Sequence, residues 1–234
     1  MPIDHSSKQY DMALEDIRSN VLAMGGLVES QFHYAIDSFN KGNTVRADQI
    51  IKLDSQVNQL ELKIDDACTH LIVRRQPAAN DLRAVMASIK ITTDLERIGD
   101  EAVKIARTAM TINDRAFATI THQDTIRSIA DNASNILHDA LDAFARGDVE
   151  QARRILTLDK VIDHEFRSIL RTMVTFMMED PRTISIALDV IWVAKAIERI
   201  GDHAKNIAEY VIYVVEGKDI RHMDDAMPDS ANLS

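Results

Sequence analysis

The chain has 234 residues, of which 46% are hydrophobic, 27% charged and 5% aromatic, a composition that excludes the disordered and membrane classes and leaves room for one large domain or two small ones. Its 27 Lys and Arg stand against 37 Asp and Glu, and the formal charge of −10 repels a phosphodiester backbone and argues against nucleic acid as a partner. A single cysteine, Cys68, rules out an intrachain disulfide or a thiolate cluster; with no secretory signal pattern and no apolar run of about 18–20 residues, the expectation is a soluble cytoplasmic protein.

Helical periodicity dominates from Tyr10 onward. Leu14, Ile17, Val21, Met24 and Val28 alternate steps of three and four, and the row continues through Phe32, Ile36 and Phe39 until Asn40-Lys41-Gly42-Asn43, where a break is predicted. A second row, Ile50, Leu53, Val57, Leu60, Ile64, Ala67 and Leu71, ends at Gln76-Pro77, because proline lacks an amide donor and restricts its predecessor. A third helix is predicted to start near Asn80 or Asp81, either of which can cap free amides, to carry Leu82, Val85 and Ile89 toward a core and to continue past Ile105. Strict alternation is missing throughout, so no strands are predicted.

The second half repeats the first. Phe39-Asn40-Lys41-Gly42-Asn43 recurs as Phe144-Ala145-Arg146-Gly147-Asp148, and Leu53-Asp54 as Leu158-Asp159, at an offset of 105. Glu96 to Ala106 matches Glu198 to Ala208 at an offset of 102, with eight of eleven positions identical, so the second copy lacks three residues between its second and third helices. The predicted fold is all-α: two tandem three-helix bundles related by internal duplication and a pseudo-two-fold, over residues 8–113 and 121–218. The join falls near Asp114 to Gln123, and residues 223–234 read as a flexible tail.

The repeated segment Glu-Arg-Ile-Gly-Asp puts Glu96 with Asp100, and Glu198 with Asp202, four residues apart on one helix face, about 6 Å from each other. The preceding helices offer Asp54 with Asn58 and Asp159 with Asp163 at the same spacing. Residues of an antiparallel hairpin lie level when they are equally far from its turn. Asp54 is level with Asp100, and Asn58 with Glu96, if the turn centres on residue 77, which is the proline; Asp159 with Asp202, and Asp163 with Glu198, require a turn between Asp180 and Pro181. Each half is therefore predicted to gather its carboxyl groups in a groove between its second and third helices, where they must take up protons or bind cations. Oxygen donors without thiolates suit Mg, Mn or Fe, with Zn possible. Gly99 and Gly201 disfavour a helix by about 1 kcal/mol each, and their place between the carboxylates suggests that a metal or a neighbouring backbone needs the room. The rival readings are a solvated acidic stripe with the glycines serving helix packing, and neutralisation by Arg97 and Arg199.

The phrase Arg75-Gln76-Pro77-Ala78-Ala79-Asn80-Asp81-Leu82-Arg83, followed by Asp94-Leu95-Glu96-Arg97-Ile98-Gly99-Asp100-Glu101-Ala102, resembles the PhoU family of phosphate-transport accessory proteins, and the likeness spans nearly the whole chain. The resemblance implies a cytoplasmic pair of three-helix bundles whose Glu/Asp-x-x-x-Asp motifs bind divalent or multinuclear metal ions. It also implies a negative regulator of the phosphate-starvation two-component response that modulates phosphate import. The implied partners are the PstB-like ATPase of the phosphate ABC importer, a PhoR-like sensor histidine kinase and a second copy of the chain, with the membrane approached only through partners. Glu96, Asp100, Glu198, Asp202, Asp159 and Asp163 match the motif; Asn58 stands where a carboxylate belongs, so weaker binding is expected in the first half. Thr183-Ile184-Ser185 departs from the Asp81-Leu82-Arg83 phrase, which confines that phrase's role to the first half.

Two other classes make different demands on the residues. A carboxylate-bridged di-iron enzyme needs Glu-x-x-His pairs, and no glutamate here has histidine at the third following position. Nucleophilic catalysis needs Ser, Cys or His beside a base, which the spacing does not provide, so no catalytic residue is assigned. A histidine phosphotransfer bundle would use His70, four residues before Arg74. His33 and His138 read as surface positions, while His164 and His203 are candidates for a metal's outer shell.

Overall fold

The computed structural model describes residues 3–41, 47–112 and 123–220. Over them the chain forms six α-helices: α1 (Ile3–Lys41), α2 (Ala47–Arg75), α3 (Ala79–Thr111), α4 (Gln123–Arg146), α5 (Val149–Glu179) and α6 (Ile184–Glu216), with a 3-10 turn at Pro181–Thr183. No strand occurs among the described residues. Of the predicted join, only Gln123 is described, as the first residue of α4; the rest of it and the tail 223–234 lie outside the described residues.

The predicted stripes of α1 and α2 lie on buried faces, but of the third row Val85 is buried, Ile89 is half-buried, and Leu82, in the first turn of α3 where fewer helices cover it, is 39% exposed. Ile17, Val21, Met24, Val28, Phe32 and Phe39 of α1 are buried, as are Ile50, Val57, Ile64 and Leu71 of α2. Two boundaries differ from the periodicity. Helix α1 begins at Ile3 rather than Tyr10, because the polar residues between them contain no breaker. It also runs through Asn40 and Lys41, neither of which terminates a helix as proline does; Gly42 lies outside the described residues. Helix α3 begins at Ala79 behind Ala78, with no side-chain cap. Asn80 does not cap it, because its Oδ1 accepts from Arg83 within the first turn.

The α2–α3 turn centres on Pro77, as the level argument requires. Proline disfavours the right-handed region for the preceding residue, and Gln76 takes φ 46° while its amide still donates to the Ile72 carbonyl. A left-handed residue that is not glycine is strained by about 1–2 kcal/mol. The second hairpin is built differently: Asp180 accepts from the Arg182 amide, Pro181 opens the 3-10 turn, and α6 follows at Ile184. Its turn centres about one residue later than predicted, because the 3-10 turn is inserted there. Asp148 caps α5 by accepting from the Gln151 amide at 2.9 Å.

The halves do not own separate cores. Buried residues of all six helices form one contiguous cluster. Helix α3 lies antiparallel to α6, as successive pairs show: Lys90 over the Tyr210 ring, Asp94 with His203, and Glu101 with Arg199. Helix α1 meets α4, where a Cβ on Gly25 would stand 2.6 Å from Leu141 Cδ2. Glu29 pairs with His138 at 2.9 Å on the same seam.

Candidate metal centre

In the first half the hairpin gathers Asp54 from α2 with Glu96 and Asp100 from α3. The Glu96 carboxyl is held above its ordinary value by desolvation first, then by the charges of Asp100, Glu61 and Asp54, with Arg97 opposing. Glu61, which the motif did not select, therefore belongs to this groove. Its own carboxyl is raised by burial and then by Asp65, with Asp100 adding to the effect. Asn58 lies on an exposed flank and adds no charge. Beneath the groove, fully buried Gln31 of α1 donates from Nε2 to Asp54 Oδ1 at 3.3 Å and to the Ile50 carbonyl at 3.4 Å. Its Oε1 is buried without a partner.

The second half gathers Asp159, Asp163, Glu198 and Asp202. Asp202 keeps an exposed edge, yet the helices around it desolvate its carboxyl and push it up to about 6, with Glu198, Asp159 and Asp163 adding repulsion. Asp159 is almost fully buried, and burial raises its carboxyl despite the opposing Lys205. Lys205 Nζ lies 3.2 Å from Asp159 Oδ2, and Lys195 Nζ lies 2.6 and 2.5 Å from the two Glu198 oxygens.

Lysines, rather than the arginines of the rival reading, neutralise the second groove. Arg199 turns to the other half and donates to Glu101 Oε1 at 3.1 Å. Arg97 stays exposed, its Nε 3.6 Å from Glu96 Oε2. The lysines are readable in the sequence at three residues before Glu198 and three after Asp202, which is helix-neighbour spacing. Glu61 is readable as the next member of the row Asp54, Asn58. Gln31 gives a weaker signal, one polar residue three positions after Val28 on the buried side of α1.

The room beside the glycines is filled by side chains rather than a neighbouring backbone. A Cβ on Gly99 would stand 3.0 Å from Gln31 Oε1, and one on Gly201 would stand 2.9 Å from Ile162 Cδ1. His203 pairs through Nδ1 with Asp94 at 2.7 Å, and Asn206 donates to the same oxygen. His164 is exposed, and His70 lies 3.6 Å from exposed Asp66. Cys68 is buried, and burial pushes its thiol up to about 11, so it is no ready nucleophile.

Among the described residues, no three or more His, Cys, Asp and Glu side chains stand ready to hold a metal ion. The donor chemistry nonetheless fits a hard cation. Each groove offers only oxygen ligands, and in the first half an orphaned buried amide oxygen adds a further acceptor. Cavities of about 300, 380 and 370 Å³ lie elsewhere among the described residues, one where α1, α3 and α6 meet the α4–α5 turn, one between α3 and α6 beside Trp192, and one along α5 at Arg171, Thr175 and Glu179.

The PhoU domain model matches residues 21–109 and 126–211, one copy in each half. A phosphate-specific transport system accessory protein PhoU homolog of Pseudomonas putida is 48% identical over 219 residues, covering 94% of this chain and 85% of that protein. The phosphate-specific transport system accessory protein PhoU of Escherichia coli (strain K12) is 44% identical over 222 residues, covering 94% of this chain and 90% of its own length. The crystal structure of PhoU from Pseudomonas aeruginosa superposes with a TM-score of 0.84 at 44% identity, covering 89% of this chain and 100% of that one. The PhoU structure from Streptococcus pneumoniae, at 24% identity and a TM-score of 0.83, covers 90% of this chain and 98% of that one and shares the fold.

Proposed function

Since this chain belongs to the PhoU family, we propose that it serves as an accessory protein of phosphate-specific transport, a metal-binding adaptor that represses the phosphate-starvation response and modulates phosphate import. The observation that carries this reading is the end-to-end likeness to named accessory proteins, at 48% identity over 94% of the chain for one of them. The acidic grooves, present in both halves, support the metal-binding part. Asp54, Glu61, Glu96 and Asp100 would hold a cation in the first half, and Asp159, Asp163, Glu198 and Asp202 in the second. A bound Mg, Mn, Fe or Zn ion would supply positive charge that ties the two arms of a hairpin together.

The adaptor acts by contact rather than catalysis. Among the described residues, buried Cys68 and His33, His70, His138, His164 and His203, each paired or solvent-facing, supply no activated nucleophile beside a base. Its partners are the ATPase of the phosphate importer and the sensor histidine kinase, which it meets in the cytoplasm as a homodimer. No helix among the described residues is long and apolar enough to cross a membrane, which is consistent with reaching the importer through its ATPase.

A strain without its own copy, carrying a starvation-gene reporter, tests this. In phosphate-rich medium the wild-type chain restores repression. The chain with Glu96→Ala, Asp100→Ala, Glu198→Ala and Asp202→Ala leaves the reporter near the level of the empty strain, and the purified variant loses its metal. Full repression and unchanged metal content in that variant would contradict the reading.

A further inference from the structure

The two hairpins share a backbone plan and differ in the residues that flank their carboxylates. One turn beyond the Glu198 level, the second half sets Phe166 opposite Lys195, whose ammonium lies 5.3 Å from the ring centroid while it contacts both Glu198 oxygens. At the offsets of 105 and 102, the first half has Glu61 in place of Phe166 and Thr93 in place of Lys195. The Thr93 hydroxyl does not replace the cation, because it donates to the Ile89 carbonyl at 3.1 Å. Lys205, which reaches Asp159, corresponds to Val103, a buried apolar residue. The first groove thus gains a carboxylate where the second has a ring, and it lacks both ammonium groups. Its nearest cation is Arg97, exposed at the rim.

Gln31 adds a second, independent difference. It is 0% exposed, its amide nitrogen holds Asp54, and its Oε1 is left unpartnered against Gly99, between the Glu96 and Asp100 positions. The second half has Ile136 at the corresponding place, also buried. A buried amide oxygen normally has a donor or an ion. With its amide nitrogen on Asp54 and its oxygen beside Gly99, it is placed next to the uncompensated carboxylates, where a hydrated cation would complete the arrangement.

We propose that the grooves are inequivalent: the first-half groove takes a divalent cation, and Lys195 and Lys205 hold the second-half groove as a self-neutralised copy that admits a cation only when they are displaced. This rests on the metal-binding reading above and reverses the expectation raised by Asn58, because the charge lost at that position is replaced by Glu61 and by the absence of the lysines.

Manganese(II) titrated into the full-length chain, with free ion counted by electron paramagnetic resonance and bound ions by native mass spectrometry, tests it. The wild type should show one tight event and a second weaker by about tenfold or more. Glu96→Gln with Asp100→Asn removes the tight event, and Glu198→Gln with Asp202→Asn leaves it in place. Lys195→Met with Lys205→Met tightens the second event by about tenfold. On the wild type alone, which needs no variant to fold, substoichiometric Mn(II) should broaden the Gly99 amide resonance before that of Gly201. Equal filling, or Gly201 broadened first, overturns the proposal while leaving the metal reading intact. No binding by the wild type or the lysine variant overturns both.

Discussion

Replacing Lys205 by methionine destabilises the metal-free chain by about 3 kcal/mol near neutral pH, the cost of leaving a buried carboxylate without its ion partner. Asp159 is 3% exposed, and Lys205 is the cation in contact with it at 3.2 Å. Methionine keeps the length and apolar body of the lysine, so the loss is charge rather than packing. Burial already holds the Asp159 carboxyl above its ordinary value, and loss of Lys205 drives it further up. An acid raised in the folded state binds a proton that the unfolded chain releases, so its stabilising contribution is present at low pH and lost as pH rises. In this groove the window is marked by Asp202, which sits at about 6 against 3.8 for the ordinary carboxyl. The deficit of the variant therefore shrinks as pH falls below that range. Urea denaturation of both proteins near neutral and near acid pH measures it; a deficit that grows on acidification contradicts the electrostatic origin. Saturating Mn(II) should recover much of the loss at neutral pH by replacing the missing charge.

The second large effect concerns the core. Phe32→Ala destabilises by about 3–5 kcal/mol, lowering Tm by about 6–20 °C at the sensitivity usual for chains of this size. Phe32 is 1% exposed and belongs to a cluster that includes buried residues of both halves. Helix α1 packs on α2 and α3 of its own half and on α4 of the other. The loss should therefore appear as one transition at a lower temperature in calorimetry. Two transitions, one of them unmoved, would show that the halves unfold separately.

The fold is legible because long helices write their buried face directly into the spacing of apolar residues, and internal repetition fixes the number of helices. Pro77 marks one turn, and the level argument from Asp54 and Asp100 points to the same residue. What spacing does not reveal is the seam between the halves. Along the sequence, Asp94, His203, Glu101 and Arg199 are neighbours of the acidic motif on their own helices. The antiparallel crossing of α3 with α6 gives them partners about a hundred residues away, and distant pairing of this kind leaves no local pattern.

The groove is legible in part for a related reason. A motif of carboxylates identifies ligands but not their counter-charges. Lys195 and Lys205 stand at helical-neighbour spacing in the sequence, yet Arg97 and Arg199 are the more conspicuous cations because they lie inside the repeated phrase. The glycines suggest space for a metal or a neighbouring backbone, but Gln31 and Ile162 fill that space. Gln31 is also the residue that distinguishes the two copies most subtly, since a single buried amide interrupts no hydrophobic period.

Anomalous diffraction at the manganese edge, from crystals of the wild-type chain grown with Mn(II), locates the bound ions. A peak is expected among Asp54, Glu61, Glu96 and Asp100 at metal–oxygen distances, appearing at lower Mn(II) than any peak among Asp159, Asp163, Glu198 and Asp202. A chain saturated with Mn(II) whose anomalous peaks all lie outside both grooves would contradict that expectation.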